Sequence, residues 1–213
     1  MKIKLPITLP EYERVFRVVH SVSRSMDDRP GASCLFYNVV GALLLEKMLR
    51  VKARPVIGAA FFRVDDSTAT ALSFAILNDD GTCTSTEDAF HCWVETESHI
   101  VDFTAPVYRE YLEKIGLSRQ LPRKMFQRRK VDMASFHQDL LFEGDYYVQP
   151  NAELTKLSLE NALKSPAVGD LANVCLQWFV RPPKAMKDTL SIMNDLQEVI
   201  QVRLTALSIS GVW

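Results

Sequence analysis

Cys34-Leu35-Phe36-Tyr37-Asn38-Val39-Val40-Gly41-Ala42-Leu43-Leu44-Leu45-Glu46-Lys47-Met48-Leu49-Arg50 is the stretch on which the fold turns. Nearly every position is apolar, and a helix apolar all round is a buried one. The exceptions Cys34, Tyr37, Asn38 and Gly41 stand at i, i+3, i+4 and i+7, on one helix face. Next come β-type runs at 56–62 and 69–77, the turn Asn78-Asp79-Asp80-Gly81, and two further runs at 89–96 and 100–104. A buried helix followed by consecutive strands reads as α+β with an antiparallel sheet.

Working outward, residues 11–24 carry Tyr12, Val15, Phe16, Val19 and Val22 at helical spacing, so a first helix precedes the buried one. Residues 25–33 hold Asp27-Asp28-Arg29-Pro30-Gly31 and read as a loop. Beyond Pro106 the pattern predicts helices at 107–116, 152–164, 169–180 and 186–208, with one strand at 144–149. The last helix offers either a core-facing stripe or a seam between copies of the chain in a homo-oligomer. The expectation is a single domain over 1–213: a core at 30–106 and a mostly helical extension over 107–213.

The chain has 213 residues, 47% hydrophobic and 24% charged, with a net charge of −1. These values fit a globular domain, and they give no bulk attraction to nucleic acid or an anionic membrane. No apolar run approaches the ~18–20 residues of a membrane span, and no h-region follows Lys2 and Lys4, so the expected compartment is the cytoplasm. Cys34, Cys83, Cys92 and Cys175 show no CxxC spacing, and Asp65-Asp66 and Asp79-Asp80 are turn residues. No metal or organic cofactor is expected. The basic stretch 119–130 reads as a solvated face.

Three residues carry the chemistry. Cys34 opens the buried helix, where unpaired N–H groups and the positive end of the macrodipole favour a thiolate. His91 stands mid-strand in Phe90-His91-Cys92-Trp93-Val94-Glu95. Asp102 lies in an apolar strand, where a carboxylate must be paired. Parity joins the last two. A hairpin centred on Glu97/Ser98 sets Asp102 opposite Trp93, and one centred on Thr96/Glu97 sets it opposite His91. Both registers bring Asp102 beside His91. Cysteine, histidine and acid in these places make a nucleophile, a base and an orienting group, with the Cys34 N–H as one oxyanion donor. Tyr37, Asn38 and Trp93 are expected to line the cleft, with a tether for the 25–33 loop as the other role for Tyr37 and Asn38. Trp93 is also expected to pack on the nucleophile helix, and Cys92, on the opposite strand face, to serve as packing.

Gly31-Ala32-Ser33-Cys34, Arg54-Pro55-Val56-Ile57-Gly58, His91-Cys92-Trp93-Val94-Glu95 and Val101-Asp102-Phe103-Thr104-Ala105-Pro106 together resemble the transglutaminase-like core of the papain-like cysteine peptidase superfamily. Within it, the likeness points to a small bacterial group of unassigned function. It covers about residues 30–106 and implies Cys34 as nucleophile, His91 as base and Asp102 as orienting acid. It implies an acyl-thioester route to amide hydrolysis or acyl transfer, on a peptide, an amide or a small acyl substrate. Papain-type enzymes place a Gln shortly before the cysteine; Ser25-Met26-Asp27-Asp28-Arg29 holds none. That departure leaves a second reading, a catalytically silent member of the fold used as a binding or scaffold module.

Overall fold

The computed structural model describes residues 5–25, 33–116, 121–193 and 197–213. Most of the loop expected at 25–33, together with Arg119 and Leu196, lies outside them. Helix α1 (Leu9–Arg24) starts at a capping box, in which Thr8 Oγ1 accepts from the Glu11 N–H and the Glu11 carboxylate accepts from the Thr8 N–H. Helix α2 (Ser33–Leu44) runs into one π-helical turn, Leu45–Leu49, and ends at Arg50 in the left-handed conformation (φ 58°).

The 13-residue strand β1 (Ala53–Asp65) is the spine of a six-stranded antiparallel sheet. One of its edges pairs with β8 (Tyr146–Pro150). Along the other, β5 (His91–Thr96) and β2 (Thr70–Phe74) lie end to end. Gly58 pairs with both His91 and Pro150, and Ala60 with both Phe74 and Val148. Beyond β5 come β6 (His99–Asp102) and β7 (Phe126–Arg129). A small hairpin of β3 (Ile76–Leu77) and β4 (Cys83–Thr84) encloses the predicted turn, with Gly81 at φ 80°.

Both sheet faces are covered, so alternate residues enter different cores. Val94, Val101 and Phe103 pack with α1, α2 and α5 (Pro166–Trp178). Val56, Ala60, Phe62, Trp93 and Ile100 pack on the other side, against Tyr108 and Leu112 of α3 (Tyr108–Lys114), Tyr146 and Trp213. Leu154 of α4 (Ala152–Lys164) covers Ile57 and Cys92.

The C-terminal half departs from the sequence reading in three ways. Residues 186–208 are not a helix: Thr189–Met193 (β9) and Val199–Arg203 (β10) form an antiparallel hairpin. Ile192, Val199, Ile200 and Val202 are β-branched, and alternate residues Leu190, Ile192 and Val202 turn toward the core; leucines at helical spacing had masked that period of two. Nor is 107–213 an extension laid on a finished core. It supplies β7 and β8, which hydrogen-bond to β6 and β1, and among its described residues strand and loop together outnumber helix. The basic stretch is largely consumed by internal pairing: Arg123 with Glu110, Lys124 with Glu143, Arg129 with Asp132, and Lys130 with Glu95.

Candidate active site

The site forms where β5 begins and β6 ends. The β5–β6 register pairs Val94 with Val101 and Glu95 with Ile100, which centres the hairpin on Glu97/Ser98. Asp102 is therefore one step diagonal from His91 on the same face. His91 Nε2 lies 2.8 Å from Asp102 Oδ2, with the imidazole 1% and the carboxylate 0% exposed. An ionised carboxylate only accepts, so Nε2 carries the hydrogen.

Asp102 is satisfied at both oxygens. Oδ2 also accepts from Tyr108 OH at 2.5 Å. Oδ1 accepts from Asn38 Nδ2 at 2.9 Å and from the Thr104 N–H at 2.7 Å. The last bond closes an Asx-turn, the mechanical meaning of Asp-x-Thr. The Asp102 carbonyl accepts in turn from Tyr12 OH. Burial pushes the Asp102 carboxyl up, but the His91 charge and the bonds from His91, Tyr108 and Asn38 outweigh it and hold it below the usual carboxylate range. Burial likewise pushes His91 down. The Asp102 charge and hydrogen bond, with smaller contributions from Cys34, overcome that and hold the imidazole up at about 10.

Cys34 is half-buried in the first turn of α2, packed against Ile57, Cys92 and Leu154 with Leu35 and Phe90. It is near enough to bear on the His91 ring by charge and hydrogen bonding. His91 Nδ1 is nonetheless buried with no well-formed hydrogen bond among the described residues. One nitrogen is thus fixed by the acid and the other takes no well-formed bond, while the Cys34 thiol lies close enough to bear on the ring. Phe74 stacks on the imidazole, with ring centroids 4.5 Å apart at 27°, because β2 ends where β5 starts. Tyr111 packs on the outer side of Phe74.

The structure brings Cys34, His91 and Asp102 together, and it places the three expected cleft residues elsewhere. Trp93 is fully buried on the sheet face away from α2, so it neither packs on that helix nor offers a ring to solvent. Strand parity forces this, since Trp93 shares the face of His91. Tyr37 is buried against α1, its hydroxyl 2.6 Å from His20 Nδ1. Asn38 is fully buried between α2 and the strand ends. The face Cys34, Tyr37, Asn38, Gly41 is therefore a packing face: a Cβ on Gly41 would stand 2.2 Å from the Phe103 ring. Cys92 is buried on the opposite strand face, in the packing place expected of it. Sequence reasoning missed Tyr108, whose only signal is that Pro106 ends the strand and starts a tight turn, Ala105–Val107, that swings it back. Among the described residues, no group of three His, Cys, Asp or Glu side chains gathers as a metal site. No helix among them is long and apolar enough to cross a membrane.

The chain belongs to the family described as "Protein of unknown function (DUF2026)", whose model matches residues 8–213. It is also similar to a solved protein described as "The crystal structure of genomics APC5867", at 30% identity and a TM-score of 0.87 over 100% of both chains. Comparison with curated proteins gives no match.

Proposed function

We propose that the protein is a cysteine-dependent amide hydrolase or acyltransferase of the transglutaminase-like, papain-like kind, with Cys34 as nucleophile, His91 as acid and base, and Asp102 as orienting acid. The observation that carries the reading is the asymmetry of His91: Nε2 is locked onto a carboxylate that takes four hydrogen bonds, while Nδ1 takes none that is well formed among the described residues and a half-buried thiol bears on the ring. Asp102 favours imidazolium, which would hold the Cys34 thiolate as an ion pair. The thiolate attacks the carbonyl carbon. Nδ1–H of His91 then protonates the leaving amine as the C–N bond breaks, giving an acyl-thioester. Neutral His91 next takes a proton from water or an acceptor amine as it attacks, and the thiolate leaves. The Cys34 N–H, at the helix start, serves as one oxyanion donor.

A silent binding module is the second reading, favoured by the depth of the imidazole, which leaves a substrate little access to it. Iodoacetamide labelling of the native protein over pH 5–9, read at each cysteine by mass spectrometry, separates the two. The enzyme reading expects Cys34 to label fastest at low pH, with the advantage lost in His91→Ala. Slow labelling of Cys34 that ignores His91 would refute it in favour of the module.

A further inference from the structure

We propose that Asn38 is the positioning residue of this site, setting the spacing between the helix that bears Cys34 and the strands that bear His91 and Asp102. The inference rests on the nucleophile reading above. Asn38 is fully buried, so it does not meet a substrate. Its Oδ1 accepts from the Phe103 N–H at 2.9 Å. Its Nδ2 faces four acceptors: the carbonyls of Cys34 at 3.1 Å and Cys92 at 2.7 Å, Asp102 Oδ1 at 2.9 Å and Thr104 Oγ1 at 2.9 Å.

An amide has two N–H hydrogens, so these acceptors share them. The reversed amide would set oxygen against oxygen and NH2 against the Phe103 N–H, so one orientation alone fits. One short side chain thereby ties the Cys34 turn of α2, the residue after His91 on β5, and the carboxylate end of β6. Two packed elements can slide on apolar contacts; they cannot slide on a buried amide whose two N–H hydrogens are held among acceptors of both elements and whose oxygen is held by the Phe103 N–H. The quantity so fixed is the approach of Cys34 to His91 Nδ1, the contact the chemistry needs. A misplacement of about 1 Å at such a contact costs on the order of 100-fold in rate. Packing alone would be served by an apolar side chain, since a buried amide is costly unless bonded.

The test uses Asn38→Ala and the near-isosteric, uncharged Asn38→Leu, which fills the same space and loses the hydrogen bonds. Leu44→Ala, a buried α2 change remote from the site, serves as the stability control. Cys34 labelling across pH 5–9 is read together with the proton resonance of the His91 Nε2–H. Both Asn38 variants should label Cys34 about 10–100-fold more slowly at pH 6. Their pH profile should fall onto that of His91→Ala, with the Nε2–H resonance moved or broadened. Leu44→Ala should keep the wild-type profile. If Asn38→Ala does not fold, Asn38→Leu decides. A folded Asn38 variant with wild-type profile and resonance overturns the proposal. Wild-type labelling indifferent to His91→Ala would instead overturn the nucleophile reading, and an unmoved resonance in Asn38→Leu would then still refute the role of Asn38.

Discussion

A carboxylate with no exposure needs a donor for each oxygen, and Asp102 obtains them from four directions: a strand neighbour, a helix amide, a tyrosine and its own following backbone. Removing its charge should be severe. Asp102→Asn turns an NH2 toward donors, and breaking a buried pair in this way costs about 3–5 kcal/mol. Chemical denaturation should show that loss, and Cys34 labelling should slow together with it. Tyr108→Phe makes a finer change. It keeps the ring packed and drops one hydrogen bond to a charged group, worth about 1.5–3 kcal/mol. The carboxylate, with one donor fewer, pulls harder on the His91 proton, so the imidazole titration followed by NMR should move to higher pH. An unmoved titration would mean that Tyr108 only fills space. The closeness of His91 and Asp102 was legible in the sequence because side chains alternate and the loop between the strands has even length. Tyr108 was not, because its contact depends on how a turn after the strand folds back.

At the scale of elements, α2 and the β5–β6 hairpin form one unit held at close range. Gly41 is the point of nearest approach, where an added Cβ would sit 2.2 Å from the Phe103 ring. Alanine is the better helix former by about 1 kcal/mol, yet overpacking costs about 1–3 kcal/mol. Gly41→Ala should therefore destabilise on balance, and by lifting the helix it should also slow Cys34 labelling. An increase in stability would show that the helix can shift freely. Gly58 of β1 plays the same part against the end of β8, with a Cβ there 2.1 Å from the Gln149 carbonyl oxygen. The sequence marked Gly41 as part of a polar face but left its partner open, since helical periodicity gives the face and not what lies against it.

For the whole molecule, two histidines set opposed limits on stability. His91 is held at about 10 against an ordinary 6.5, so its contribution is full below about 6.5 and is lost as the pH rises toward 10. His20, beside Tyr37, is pushed down by burial to about 4. Its contribution is full above about 6.5 and is lost as the pH falls toward 4. Asp102, with its lowered pKa, weighs only at more acid pH. Thermal denaturation from pH 4 to 10 should therefore crest near neutrality, with His91→Gln flattening the alkaline limb and His20→Gln the acid limb. A melting temperature that rises steadily through pH 9 would contradict this. The chain by itself determined the two leading helices, the strand runs that become β1, β2 with β3, β5 and β6, and the meeting of His91 with Asp102, because periodicity and parity are local and β5 and β6 are adjacent. Only the tertiary structure decided that β7 and β8 complete the sheet, that 189–203 is a hairpin, that Trp93 turns from the helix, and that Asn38 binds helix to strands. Those outcomes depend on pairings between residues far apart in sequence, and no local pattern of apolar and polar residues encodes the partner.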